Sequence, residues 1–251
     1  MSSPPPTQRP PMLKQVAIEQ KLDGQVPLSL TFRDETGKTV RLGDYMGKKP
    51  VILNLVYYQC PMLCGEVLSG LTGALTMVSF DVGKEFEVIT VSFDPRETPE
   101  MATAKKATYL QRYRRPGADK GWHFLTGDQA NIEALTHSVG FDYQYDEKTQ
   151  QYAHATAIMI LTPEGKISRY FYGVEFPPKD LRLGLVEASE HKIGSAVDQV
   201  LLYCYHYDPA TGKYGPVIAN ILRLAAALTM AILGAFVWVM FRHDTRHEKQ
   251  A

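Results

Sequence analysis

Two cysteines four residues apart are the residues of this chain best suited to chemistry. Cys60 and Cys64 lie in the segment Tyr58-Gln59-Cys60-Pro61-Met62-Leu63-Cys64. Residues four apart on a helix share a face, so the two sulfurs can converge on one point. Their Cα separation of about 6 Å also falls in the range that a disulfide bond allows. The spacing therefore predicts a metal site or a redox-active pair and leaves both open, with an inert buried pair as the less favoured alternative.

The cysteine pair lies where a buried strand is predicted to pass into a helix. Residues 51–57 are almost continuously apolar and β-branched, which is typical of a strand covered on both faces. A helix is predicted next, from an apolar stripe at helical spacing: Val67, Leu68, Leu71, Ala74, Leu75 and Val78. The free N–H groups at a helix N-terminus favour thiolate over thiol, so either chemistry is feasible near neutral pH.

The rest of the central region alternates between strand and helix patterns. Further strands are predicted over Phe86–Phe93, Trp122–Leu125, Tyr152–Leu161 and Lys166–Tyr172. Further helices are predicted after Thr98-Pro99-Glu100, after Asp128 and from about Lys179. This alternation predicts an α/β fold, in which helices flank a central sheet.

Composition narrows the classes of function. The chain has 251 residues, with 27 Lys and Arg balanced by 27 Asp and Glu, and 45% of its residues are hydrophobic. A nucleic-acid-binding protein would normally have an excess of basic residues, so we expect no nucleic-acid partner. The apolar content argues against disorder of the whole chain. Three cysteines are too few for a scaffold held together by disulfides.

The two ends of the chain differ in character. Residues 1–25 are predicted to form an extended tail that is rich in proline at its start, and we expect no secretory signal in it. The uncharged stretch 224–241 is 18 residues long, enough to cross most of a bilayer core as a helix. We therefore predict a transmembrane helix over 217–241, a helical linker over 191–216 and a short cytoplasmic tail over 242–251. A buried soluble helix is the alternative for the apolar stretch.

Six separated motifs resemble those of a known family. They are Gly37-Lys38-Thr39-Val40, Gly47-Lys48-Lys49-Pro50-Val51, Cys60-Pro61-x-x-Cys64, Ser92-Phe93-Asp94-Pro95-x-x-Thr98-Pro99-Glu100, Leu125-Thr126-Gly127 and Tyr152-x-His154. In this order they resemble the Sco/SenC family of membrane-anchored, thioredoxin-fold copper chaperones for cytochrome c oxidase assembly. The resemblance covers about Val26 to Ala188, within the predicted domain 26–190. Met62 and Gly65 depart from the family pattern, which usually has an acidic residue and a proline there, and the family's anchor is usually N-terminal.

The resemblance implies a fold, a ligand set and partners. It implies a thioredoxin-like sheet and a copper site made by Cys60, Cys64 and His154. Two soft thiolates and one imidazole suit Cu(I) and also serve Cu(II), whereas a structural zinc ion would want four ligands. The implied partners are the copper-centre subunit of the oxidase, an upstream copper donor or thiol reductant, and membrane lipid.

Two functions therefore remain. In the first, the chain delivers copper to the dinuclear copper centre of a haem–copper oxidase. In the second, it is a thiol–disulfide oxidoreductase in which Cys60 and Cys64 keep the oxidase subunit's cysteines reduced. His154 discriminates between them, because copper needs a third ligand and dithiol exchange does not. A peroxiredoxin is disfavoured, since Tyr57 stands where such enzymes have a threonine.

Other candidate residues are less distinctive. His154 is expected to open a central strand, Ala155–Leu161, whereas His123 and His137 are interpreted as surface or helix-side residues. Asp94 is expected either to support a metal ligand or to stabilise a turn. Cys204 is expected to be buried on an apolar helix face. A transient copper contact at Cys204, near His206, is the minor alternative.

The charges beside the predicted anchor give its orientation. Arg242, Arg246 and Lys249 follow the apolar span, whereas only Lys213 and Arg223 are basic in the 20 residues that precede it. Basic residues favour the cytoplasmic side of a membrane helix. We therefore expect a single-pass protein of the inner membrane, with the main domain on the periplasmic side and the C-terminus in the cytoplasm.

Overall fold

The computed structural model describes residues 18–60 and 63–191, together with 207–208, 213–214, 223, 229–230 and 233–234. The chain divides into two units, and residues 18–191 lie in the unit Pro10–Gly194. No helix within the described residues combines the length and the apolar character needed to cross a membrane. Cys204, His206 and most of the predicted span 217–241 lie outside those residues.

Strands and helices alternate along the chain. The strands are β1 (Thr31–Arg33), β2 (Thr39–Arg41), β3 (Val51–Val56), β4 (Glu87–Ser92), β5 (Trp122–Leu125), β6 (Tyr143–Asp146), β7 (Gln151–His154), β8 (Ala157–Leu161), β9 (Ile167–Tyr172) and, in the second unit, β10 (Tyr207–Asp208) and β11 (Lys213–Tyr214). The helices are α1 (Leu63–Met77), α2 (Pro99–Tyr113), α3 (Gln129–Ser138) and α4 (Pro178–Ser189), with short 3-10 turns over Leu42–Tyr45 and Ala118–Lys120.

Five strands form the central sheet, in the order β5-β4-β3-β8-β9. β3, β4 and β5 run parallel, whereas β8 is antiparallel to β3, and β9 is antiparallel to β8. Helices flank this sheet, so the predicted α/β class is confirmed, and the arrangement is consistent with a thioredoxin-like fold. β1 with β2 and β6 with β7 form two separate antiparallel hairpins.

The inner strands have the apolar sequences that their position demands. Every residue of β3 and of β8 is buried, because both strands have neighbours on each edge and are covered on both faces. The expected helix starts are also confirmed. Pro99 is the first residue of α2, and the Asp128 carboxylate accepts a hydrogen bond from the Asn131 N–H at the start of α3.

The prediction of one strand over Tyr152–Leu161 is wrong. Ala155 and Thr156 interrupt it, so that β7 pairs with β6 in a separate hairpin and β8 pairs with β3 in the central sheet. His154 is therefore the last residue of β7, separated from the central strand β8 by two residues, and does not open that strand. The sequence Ala155-Thr156 contains none of the glycine, proline or asparagine residues that usually mark a break in a strand.

Candidate metal centre

The three predicted ligands come from two separate parts of the chain. Cys60 lies in the turn between β3 and α1, and Cys64 is the second residue of α1. Cys60 thus precedes the helix, although both cysteines were expected on one helical face. His154 ends the hairpin strand β7, 90 residues further along the chain.

The fold brings these three side chains together. The sulfurs of Cys60 and Cys64 and a ring nitrogen of His154 all lie within 4.8 Å of one another. Cys64 Sγ lies 3.4 Å from His154 Nε2. Cys64 is buried and Cys60 is half-buried, so Cys60 is the sulfur that a partner molecule reaches more easily. Neither cysteine is in a disulfide bond.

Backbone groups orient the ligand atoms. The Tyr57 N–H donates to Cys64 Sγ at 3.4 Å, and the Cys64 N–H donates to Cys60 Sγ at 3.5 Å. His154 Nδ1 lies 2.8 Å from the carbonyl oxygen of Ala155. Because a carbonyl oxygen only accepts hydrogen bonds, Nδ1 carries the proton, and the lone pair of the neutral ring is on Nε2. The nitrogen that faces the sulfurs is therefore the one able to bind a metal ion.

The two thiols differ strongly in acidity. A hydrogen bond from the Cys64 thiol lowers the pKa of Cys60 to about 3. The same hydrogen bond, together with burial, raises the pKa of Cys64 far above its usual range. At neutral pH the metal-free pair therefore holds one thiolate, on Cys60, and one proton, on Cys64. Binding both sulfurs to a metal ion would release that proton.

Aromatic rings enclose His154. The ring centroids of Tyr57, Phe93 and Phe141 lie 6.0, 5.1 and 6.0 Å from that of the imidazole. Tyr57 and Phe93 are the residues that directly follow β3 and β4, and Phe141 lies in the segment before β6. They restrict the orientation of the imidazole and keep water from most of its surface.

The remaining candidate residues lie elsewhere or act indirectly. His137 is an exposed residue of α3, and His123 packs against Tyr45 with its ring nitrogen 3.8 Å from Glu87. Asp94 is buried, and it accepts hydrogen bonds from the Arg96 guanidinium and from the Tyr152 hydroxyl. Asp94 therefore contacts a neighbour of the site and none of the three ligands.

Sequence reasoning missed one buried residue beside the site. Glu97 occupies an unspecified position of the fourth motif, and its carboxylate accepts hydrogen bonds from the Tyr58 and Gln59 N–H groups, just before Cys60. Nothing in the local pattern singles it out, because an acidic residue ahead of a helix is ordinarily solvent-exposed. Its burial follows from the return of the chain after β4 towards the end of β3.

The donor set determines which metals fit. Within the described residues, Cys60, Cys64 and His154 are the one group of three or more metal-binding side chains that converge. Two sulfurs and one imidazole form a soft set that suits copper. A structural zinc ion requires a fourth ligand, and no fourth side chain joins this group among the residues described. A three-ligand site leaves a coordination position open for a donor or an acceptor.

Known proteins share both the sequence pattern and the fold. The sequence profile of the SCO1/SenC family matches residues 19–185. A SCO1 protein homolog of Bacillus subtilis (strain 168) is 25% identical over 153 residues, which are 60% of this chain and 75% of the relative. A crystal structure from Aquifex aeolicus VF5 is 27% identical with a TM-score of 0.60, and the match covers 68% of this chain and 95% of that chain.

A structure of Arabidopsis thaliana ScoI with copper bound has the same fold. It is 22% identical with a TM-score of 0.53, and the match covers 67% of this chain and 99% of that one. The resemblance drawn from the six motifs is therefore confirmed, since the family profile spans most of the unit that holds the site. The chain belongs to the SCO1/SenC family.

Proposed function

We propose that this protein binds one copper ion through Cys60, Cys64 and His154 and delivers it to the copper-centre subunit of a haem–copper oxidase during assembly. The observation that carries the proposal is the convergence of two sulfurs and one imidazole nitrogen within 4.8 Å. Family membership supports the choice of metal, because several relatives have been solved with copper bound. Copper is the cargo here, so the open coordination position is where a receiving ligand would enter.

The chemistry of the site suits transfer better than permanent storage. The ion would lie between a half-buried sulfur, Cys60, and a buried one, Cys64. An acceptor thiolate or imidazole would bind at the open position and displace the ligands one at a time, so that the ion is never free in solution. A four-ligand cage would oppose such an exchange.

Copper stoichiometry tests the proposal. The full chain, purified in detergent and kept reduced, should bind one copper ion, measured by titration with Cu(I) against a chromophoric chelator. His154→Ala should abolish tight binding, since two ligands hold the ion poorly. His137→Ala is the matched control, because His137 is an exposed histidine of α3 and should bind like the wild type. Stoichiometric, tight copper in His154→Ala would contradict the three-ligand site.

A second function, thiol–disulfide exchange, is favoured by the acidity difference between the two cysteines. The Cys60 thiolate would attack a disulfide of the oxidase subunit and release one of its sulfurs as a thiolate. Cys64, after losing its proton, would then attack Cys60 and release the second. The client is reduced by two electrons and the Cys60–Cys64 disulfide forms, so a separate thiol reductant must regenerate the dithiol. His154→Ala separates the two functions, because it should remove copper binding while the exchange persists.

We further propose that the protein acts outside the cytoplasm. The proposal rests on the uncharged stretch 224–241 and the basic residues that follow it. An anchor over 217–241 would hold the domain 26–190 at the membrane surface, on the side where the oxidase's copper centre is assembled. Residues 18–25 belong to the domain and not to a free tail, because Ile18 pairs with Phe141 and Gln25 pairs with Lys166 in isolated β-bridges.

A further inference from the structure

A buried carboxylate lies beside the copper site without being one of its ligands. Glu97 is 6% exposed, and no ion pair among the described residues includes it. Its carboxylate accepts three hydrogen bonds: from the Tyr58 N–H at 2.6 Å, the Gln59 N–H at 2.7 Å and the Ser92 hydroxyl at 2.6 Å. Burying a carboxyl group without a cation is costly, so these three donors have to compensate for its lost hydration.

The two N–H groups belong to the turn that carries Cys60. Each amide of this turn has a partner. The Tyr57 N–H donates to Cys64 Sγ, the next two amides donate to Glu97, and the Cys60 N–H donates to the Tyr57 carbonyl oxygen at 3.3 Å. The two oxygens of Glu97, which accept from Tyr58 and Gln59, come from a different part of the chain, the loop between β4 and α2. One carboxylate therefore fixes the direction in which the chain leaves β3 and reaches Cys60.

We propose that Glu97 is a positioning residue for Cys60: by holding the Tyr58 and Gln59 amides it sets the distance of Cys60 Sγ from Cys64 and His154. For copper binding, this inference rests on the proposed function. Cys64 and His154 are held by a helix and a hairpin, whereas Cys60 lies in a turn outside regular structure. It is the ligand whose position most depends on hydrogen bonds from elsewhere in the chain.

Glu97→Gln tests this role in the full chain. A carboxamide has one oxygen and one NH₂ group, so it can accept from one of the two backbone amides while its NH₂ group opposes the other. We expect copper affinity to fall about 10- to 100-fold, the usual cost of losing a group that orients a metal ligand. The intensity of the sulfur-to-Cu(II) charge-transfer band should change as well, because the Cys60–copper geometry changes.

Glu87→Gln is the matched control. Glu87 is a partly buried carboxylate at the other end of β4, where it pairs with Lys49 at 2.8 Å. Its replacement should lower the unfolding midpoint to a similar extent and leave copper affinity and the spectrum unchanged. A loss of copper affinity in both variants would mean that stability alone governs binding, and would overturn the positioning role.

A readout that needs no copper separates this inference from the proposed function. The effective concentration of Cys60 towards Cys64, measured from the equilibrium of the pair with glutathione, should fall at least about tenfold in Glu97→Gln. If the wild type fails to bind copper, the proposed function is wrong and this equilibrium alone decides the role of Glu97. Unchanged equilibrium and unchanged copper affinity in Glu97→Gln would overturn the inference and leave the copper proposal intact.

A second variant covers the case in which Glu97→Gln does not fold. Glu97→Asp keeps both oxygens and the charge but shortens the side chain by one methylene group, so the two amide hydrogen bonds lengthen. We expect copper affinity and the effective concentration of Cys60 towards Cys64 to fall less in Glu97→Asp than in Glu97→Gln. Wild-type values of copper affinity and of the glutathione equilibrium in a folded Glu97→Asp would contradict the positioning role.

Discussion

At the scale of single residues, Cys60 and Cys64 are chemically unequal. Cys60 is the more exposed sulfur and the one held as a thiolate, because the Cys64 thiol donates a hydrogen bond to it. Cys64 is buried and retains its proton. Under either proposed function, an incoming copper ion or client disulfide would meet a charged, accessible sulfur first, and the second sulfur would take part only when its proton leaves.

This inequality predicts an unusual pH dependence for Cys60. Its pKa of about 3 lies below the usual value of a cysteine, so the thiolate is complete above about pH 5 and is lost only as the pH falls towards 3. The rate of alkylation by iodoacetamide in the reduced, copper-free protein should thus be flat from about pH 5 to pH 8. The alkylation rate of an ordinary cysteine, with a pKa near 8.5, rises about tenfold per pH unit over the same range.

Cys64→Ala provides the control for this measurement. This substitution removes the thiol that donates a hydrogen bond to Cys60, so the pKa of Cys60 should rise. The rate of alkylation of Cys60 should then increase more steeply with pH than in the wild type. A tenfold rise per pH unit in the wild-type protein would show that Cys60 is an ordinary thiol.

The same two residues predict a redox dependence of copper binding. In the disulfide form neither sulfur is a thiolate, and His154 alone cannot hold the ion tightly. Protein whose Cys60–Cys64 disulfide has been verified by mass spectrometry should therefore bind no copper in a titration, and reduction should restore one ion per chain. Tight, stoichiometric binding by the disulfide form would place the ligands elsewhere.

At the scale of elements, the hairpin of β6 and β7 carries His154 and is fastened to the loop after β4. Arg96 donates to Asp94 at 2.7 Å and to the Tyr145 hydroxyl at 3.0 Å, and its guanidinium lies 4.7 Å from the Tyr145 ring centroid. The Tyr152 hydroxyl donates to Asp94 at 3.3 Å. This short loop therefore holds the hairpin of His154 on one side, while its Glu97 holds the turn of Cys60 on the other.

Removing Asp94 should loosen the hairpin. Asp94→Ala leaves Arg96 and the Tyr152 hydroxyl without their shared acceptor, so we expect the free energy of unfolding to fall by about 2 kcal/mol, with weaker copper binding. Urea unfolding and copper titration measure the two effects. Asp128→Ala is the comparison, because it removes the exposed N-cap of α3. It should lower the free energy of unfolding by about 1 kcal/mol and leave copper affinity unchanged.

Two glycines of α1 predict opposite effects of the same substitution. A Cβ atom at Gly70 would lie 1.8 Å from the carbonyl oxygen of Val174, whereas a Cβ atom at Gly73 would meet nothing within 4 Å. Gly70→Ala should therefore destabilise the protein by about 1–3 kcal/mol through overpacking. Gly73→Ala should stabilise it by up to about 1 kcal/mol, because alanine favours the helix. Thermal melting of both variants checks the contrast, and similar shifts would contradict the packing at Gly70.

At the scale of the whole molecule, the proposed function depends on topology. The domain with Cys60 must face the compartment where the oxidase's copper centre is exposed, while residues 242–251 stay in the cytoplasm. Protease added to intact spheroplasts should digest the domain and leave a tag fused after Ala251 protected, because the basic flank of 224–241 favours the cytoplasmic side. A protected domain with a digested tag would reverse the orientation and remove the support for an oxidase client.

The sequence by itself determined the chemical core and most of the framework. The spacing of Cys60 and Cys64, the buried strand before them and the amphipathic helix after them are local patterns, with periods of two or 3.6 residues that burial imposes on each element. The six motifs identified the family, and the family supplied His154 as the third ligand. These signals are readable because neighbours in sequence remain neighbours in the folded chain.

Only the tertiary structure decided how those residues act on one another. It separated β7 from β8 and so placed His154 on a hairpin, it buried Glu97 beneath the Cys60 turn, and it made one sulfur a thiolate and the other a thiol. Glu97 contacts Tyr58 across 39 positions of the chain, and His154 contacts Cys64 across 90 positions. The burial that such contacts produce adds to the local hydrogen bond between the two cysteines. No local pattern encodes them, because a hydrogen bond, a pKa shift or a break between two strands depends on which distant segment the fold brings alongside.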